Sequence, residues 1–111
     1  MPLTQVSVLG HLDREGAQSI GELAARENVR PQSMSQTLAE LEALGLVRRA
    51  PDATDGRRTI ISLSGEGLTK LNEERARRDG WLAKAISELT PAERQALAEA
   101  TAILRRISDH A

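Results

Sequence analysis

Apolar residues recur at every third position near the start of the chain, at Leu3, Val6, Leu9 and Leu12, with Thr4 placed as an N-cap. That spacing predicts a short amphipathic helix ending near residues 13–16. The next segment opens Ser19-Ile20-Gly21-Glu22-Leu23-Ala24-Ala25, in which the Ser19 hydroxyl and the Glu22 carboxylate can each satisfy a free amide of the other. Asn28 then stands as a left-handed stop, and Pro31 occupies the first position of a further helix, where its missing N–H is harmless. In that helix Met34, Leu38 and Leu41 share one face, while Gln32, Ser33, Gln36 and Glu40 fall on the other. Gly45 supplies the closing glycine.

Beyond Gly45 the period changes. Residues 47–50 read as a strand, Pro51-Asp52-Ala53-Thr54-Asp55-Gly56 as a turn, and residues 59–64 as a second strand with Ile61 and Leu63 alternating against Ser62 and Ser64. Ser64 can also cap a long helix through Leu68 and Leu71, across the charged residues 73–79 and past Gly80, a potential bend, to about Leu89. Thr90, Pro91 and Glu93 open a last helix carrying the stripe Leu97, Ala100, Ile103, Leu104 and Ile107. The expected fold class is mainly α (α+β): three short helices and a hairpin, the layout of a winged helix-turn-helix, followed by two long helices. Residues 1–64 form the first region and residues 65–111 the helical second region of a single compact domain.

Composition narrows the chemistry. The 111 residues suit one domain, and 40% apolar content with one Trp and no Phe or Tyr leaves a core of Leu, Ile, Val and Ala. Fifteen Lys and Arg against 16 Asp and Glu give a charge of −1, so any positive surface must be local. Such a region exists: between Arg48 and Lys70 stand Arg48, Arg49, Arg57, Arg58 and Lys70 against Asp52, Asp55 and Glu66. The absence of cysteine excludes disulfides, thiolate metal sites and a cysteine nucleophile. No apolar run approaches the ~20 residues of a membrane span, and no signal layout opens the chain. A cytoplasmic protein with no membrane partner is expected, nucleoid-associated when on DNA.

In a winged helix-turn-helix the second helix of the turn enters the major groove. Here it presents Gln32, Ser33, Ser35 and Gln36, side chains that donate and accept hydrogen bonds; Gln suits the N6 and N7 edge of adenine. Arg57 and Arg58 lie at the hairpin tip, where an arginine is shaped for a narrow minor groove, and Asp55 is placed to hold the Arg57 guanidinium. The plain alternative is a set of solvent-facing polar residues with an ordinary surface ion pair on a turn. Enzymatic chemistry finds little support. His11 and His110 are the only histidines, Gly65-Glu66-Gly67 lacks the remainder of a phosphate-binding loop, and neither a metal site nor a cofactor is expected.

The run Ser19-Ile20-Gly21-Glu22-Leu23-Ala24, the stretch from Arg30 through Leu38, the segment Leu41-Glu42-Ala43-Leu44-Gly45-Leu46-Val47-Arg48-Arg49 and the wing Asp52-Ala53-Thr54-Asp55-Gly56-Arg57-Arg58 resemble the MarR family of bacterial transcriptional regulators. The likeness covers nearly the whole chain. Its specific part is Leu-Glu-x-x-Gly-Leu-Val-Arg-Arg followed at fixed spacing by Asp-x-x-Asp-x-Arg. The resemblance implies a homodimeric regulator, usually a repressor, bound to an inverted repeat of double-stranded DNA and often released by a small aromatic or phenolic effector. It places Ser35 and Gln36 against bases and makes Arg57 a minor-groove arginine held by Asp55.

Three departures stand out. Members often carry Arg where Gln36 stands, which implies a different base preference. Arg30 stands where Ser or Thr often caps the recognition helix, and is expected to meet a phosphate instead. The long N-terminal helix usual in the family has no counterpart, as though the chain starts at the second helix. Dimerization is still expected through the last two helices, with Leu97, Ala100, Ile103, Leu104 and Ile107 at the interface, since an exposed apolar stripe normally finds a partner. Competing readings are a winged-helix protein-interaction module and a regulator without an effector. The charged residues 73–79 are either a solvated face or, through Arg75 and Arg78, a contact for an anionic effector or a partner. Trp81 is expected in the core, at an interface or lining a pocket.

Overall fold

The computed structural model describes residues 1–110. The chain order is α1 (Leu3–Glu15), β1 (Gln18–Ser19), α2 (Ile20–Glu27), α3 (Pro31–Ala43), β2 (Val47–Pro51), β3 (Thr59–Leu63), α4 (Gly65–Ser87) and α5 (Pro91–Asp109). It divides into two compact units, Met1–Arg75 and a second from Ala76 onward, with the division inside α4.

Helix α1 begins one residue before the expected cap. Pro2, not Thr4, is the N-cap, without any side-chain bond, and the Pro2 carbonyl accepts from the Val6 amide at 3.2 Å. Leu3 is exposed, while Gln5, Val6, Val8, Leu9 and Leu12 are buried. A step of three residues turns 300°, so a strict every-third row walks off one face of a 3.6-residue helix, and the buried stripe follows the three-and-four spacing instead.

Helix α2 is closed at both ends by its own sequence. Glu22 N donates to Ser19 Oγ at 3.1 Å and Ser19 N to Glu22 Oε1 at 3.2 Å, the reciprocal cap expected. Asn28 takes the left-handed conformation at φ 55°, which lets Asn28 N and Val29 N bond back to Ala25 O and Ala24 O. Helix α3 ends by the same device: Gly45, at φ 75°, donates to Glu42 O while Leu46 N donates to Leu41 O. A side chain at Gly45 would be strained in this conformation.

The sheet has the order β1-β3-β2, antiparallel throughout. Strands β2 and β3 form the hairpin, with Val47 opposite Leu63 and Pro51 opposite Thr59. The two-residue β1, which sequence reading did not anticipate, adds Gln18 and Ser19 beside Ile61 and Ile60, so the hairpin is sewn to the helices from its other edge.

The core of the first unit joins all its layers. Leu9, Leu23, Met34, Leu38, Leu41, Ile61 and Leu71 are almost wholly excluded from solvent, with Ile20 and Leu63 packed against the cluster. Met34, Leu38 and Leu41 are the predicted inner face of α3, so burying them turns Gln32, Ser33 and Gln36 outward. In the second unit, a reciprocal cap between Thr90 and Glu93 starts α5, with bonds of 2.9 and 3.2 Å. No residue of α5 among those described is buried, so its apolar row lies open.

Candidate nucleic-acid interface

The turn between α2 and α3 is three residues long, 28–30, because Asn28 stops one helix and Pro31 starts the next. Arg30 is the N-cap of α3, makes no side-chain capping bond and is exposed. The first turn of α3 holds no acidic residue, so the positive end of the helix dipole faces outward unneutralised, a setting that favours phosphate. Gln32, Ser33 and Gln36 are exposed and Ser35 is half-buried. All four lie in the first two turns of α3, where a recognition helix meets base edges. Thr37 is already engaged, its hydroxyl donating to Ser33 O at 3.2 Å.

Two aspartates shape the wing. Asp52 Oδ1 accepts from the amide and hydroxyl of Thr54 at 3.0 and 3.1 Å, and Asp55 Oδ1 accepts from Arg57 N at 3.1 Å. Such Asx bonds replace the backbone pairing that a tip cannot make. Hydrogen bonds with Thr54 first, and the nearby Arg58 charge after them, hold the Asp52 carboxyl below its ordinary value.

The two wing arginines are set differently. Arg57 is 94% exposed, and among the described residues its guanidinium pairs with Asp55 Oδ1 alone, at 3.3 Å. Arg58 is drawn back to the scaffold, bonding Glu22 Oε1 at 2.9 Å and lying 3.7 Å from Asp52 Oδ2. Glu22 is held below its ordinary value chiefly by its bond from the Ser19 amide, then by the Ser19 side chain and by Arg58. Glu22 therefore has two roles, cap of α2 and anchor of the wing. Only the first is visible in the sequence, because Glu22 and Arg58 are 36 positions apart.

Other charges settle elsewhere. Arg49 pairs with Glu42 at 2.9 Å, and Arg75 pairs with Asp13 at 2.9 Å, which accounts for one of the two arginines considered for an effector. A groove of about 860 Å³ opens between residues 45–48 and the start of α4, its lining balanced between Arg48 and Lys70 on one side of the ledger and Glu66 and Glu73 on the other. His11 bridges Glu27, at 3.1 Å, and Glu15, at 3.9 Å, a tie between α1 and α2. Trp81 is 70% exposed and lies outside the buried cluster of the described residues. Leu97, Ile103, Leu104 and Ile107 are likewise exposed, and Ala100 shares their helix.

A short helix-turn-helix, an outward polar helix face and a hairpin tipped by an exposed arginine have the layout of a winged helix-turn-helix DNA-binding regulator. The chain belongs to the MarR family, whose model matches residues 1–58. It is 39% identical to an uncharacterised HTH-type transcriptional regulator of Mycobacterium bovis, over 96% of this chain and 75% of that protein. It is 31% identical to the HTH-type transcriptional repressor MdtR of Bacillus subtilis, over 95% of this chain and 68% of the repressor. Among solved structures, the YusO protein of Bacillus subtilis superposes with a TM-score of 0.85 at 31% identity, covering 96% of this chain and 75% of YusO. No helix among the described residues is long and apolar enough to cross a membrane.

Proposed function

We propose that the protein is a homodimeric repressor that recognises an inverted repeat in double-stranded DNA. Two copies place Gln32, Ser33, Ser35 and Gln36 in successive major grooves about 34–36 Å apart, with Arg30 on a phosphate. Arg57 reaches the flanking minor groove, steadied by Asp55. Arg58 reaches it only by giving up Glu22, and in its anchored position it orients the wing. The observation that carries this reading is the combination of an open polar face on α3 with a 94% exposed Arg57 at the wing tip.

The open row Leu97, Ile103, Leu104 and Ile107 supports self-association, since a contiguous exposed apolar row on a helix is normally covered. Residues 65–111 then serve as the dimerization region and residues 1–64 as the DNA-binding region. Gln36, in place of the family's frequent arginine, favours adenine over guanine at its base pair. A small aromatic or phenolic effector would release the DNA by changing the spacing of the two wings.

The test is selection of duplexes from a randomised library by the purified chain. An inverted repeat with half-sites about one helical turn apart is expected. Recovery of unrelated sequences would overturn the reading. Adding simple phenols one at a time to the complex with a selected duplex tests release.

A further inference from the structure

We infer that Ser64 and Gly67 are positioning residues of the DNA-binding surface, fastening the C-terminal end of the recognition helix α3 to the first turn of α4 so that α4 sets the angle at which α3 meets a groove. The inference rests on the DNA-binding reading above and extends it to residues that touch no DNA.

Three hydrogen bonds converge at this joint. Ser64 N donates to Leu46 O at 3.1 Å, Ser64 Oγ donates to Gly45 O at 2.6 Å, and the same oxygen accepts from Gly67 N at 2.9 Å. Ser64 is buried at 6% exposure, so water cannot readily replace these partners. Gly45 and Leu46 are the two residues whose amides close α3. Their amides therefore finish the recognition helix while their carbonyls are held by α4's cap.

Gly67 sets how close the two pieces come. A Cβ there would stand 2.0 Å from Leu46 O and 2.7 Å from Leu63 Cδ1, so only hydrogen fits and the helix lies against the backbone of the turn. The apolar contacts of Met34, Leu38 and Leu41 hold α3 in the core, and these bonds add directional constraints at its C-terminal end.

The lever is long. From Gly45 to Gln32 is about 20 Å of helix at 1.5 Å per residue, so a tilt of about 5° at the joint moves Gln32 by about 1.7 Å. Hydrogen bonds to base edges tolerate only about 0.5 Å.

The experiment compares the full chain with Ser64→Ala, Ser64→Thr and Gly67→Ala. Duplexes are first selected from a randomised library with the wild-type chain; affinities are then measured for a selected duplex and for a scrambled one of the same length, alongside thermal melts. Ser64→Ala is expected to lose about tenfold on the selected duplex but less than about twofold on the scrambled one, because charge contacts survive a small tilt and base contacts do not. Ser64→Thr, which keeps the hydroxyl, is expected to restore the ratio. Gly67→Ala is expected to lose specificity more severely; where it fails to fold, the Ser64 pair still decides. Equal losses on both duplexes, or no loss on the selected one, would overturn the positioning role alone. Failure of the wild-type chain to select any sequence would remove the DNA-binding reading itself.

Discussion

Replacing Arg57 by alanine separates the wing's part in DNA binding from its part in folding. The side chain is 94% exposed and pairs with Asp55, at 3.3 Å. An exposed pair of this kind contributes about 0–1 kcal/mol, so thermal melts of the variant are expected to lie within a few degrees of wild type. On DNA the same side chain is expected to meet bases in the minor groove. Base contacts carry about 1–3 kcal/mol each, and the lower end applies because a side chain that is 94% exposed loses rotamer freedom on binding. Two protomers then lose about 2 kcal/mol together, or about 30-fold in affinity.

Arg58→Ala gives the contrast, since it removes the 2.9 Å bond to Glu22 and leaves the wing less firmly placed. Glu22→Gln is expected to reproduce the Arg58→Ala loss, because glutamine still serves the helix cap but offers no charge to the guanidinium. Fluorescence anisotropy on a labelled selected duplex at fixed salt reads all three variants. Arg57→Ala binding within about twofold of wild type, against the 30-fold expected, would show that the wing does not enter the groove.

Leu38→Ala, at a position excluded from solvent, is expected to cost about 2–5 kcal/mol of the 5–15 available to a typical domain, measured by urea unfolding. A cost below about 1 kcal/mol would mean the α3 face is not core. Ile107→Glu is expected to leave helix content unchanged by circular dichroism, because the side chain is exposed, while reducing the solution mass to that of one chain. Acid should destabilise the fold. Glu22 and Glu93 lie below an ordinary value of 4.5 and Asp52 below 3.8, so the unfolded chain binds protons more readily than the folded one. Their contribution is full above those ordinary values and is lost as pH falls through the depressed folded ones. Melts from pH 7 to pH 3 follow it, and Glu93→Gln, which retains the cap but not the charge, should flatten the curve.

Local chemistry was the legible part of this chain. The two reciprocal caps at Ser19 and Thr90, the left-handed Asn28, Pro31 at the head of α3 and Gly45 at its end each announce themselves within four residues, and each is formed as expected. The inner face of α3 followed from spacing, and with it the outer face that carries the polar side chains. What lay hidden was either too short or too distant. A two-residue strand such as β1 has no period to detect, and Ser19 already had a role as a cap. Thr4 looked like a cap because threonine favours that position, yet Pro2, with its fixed φ, begins the helix earlier. The tie of Arg58 to Glu22 and that of Ser64 to Gly45 join residues 36 and 19 positions apart. Local pattern says nothing about such pairs.

The proposed homodimer places two copies of this chain on one duplex. Light scattering of the purified protein, alone and with a selected duplex carrying an inverted repeat, measures it directly. Twice the 12.1 kDa chain mass is expected in free solution and two chains per duplex in the complex, with both lost in Ile107→Glu. A single chain on each duplex, with no preference for a repeated half-site, would contradict it.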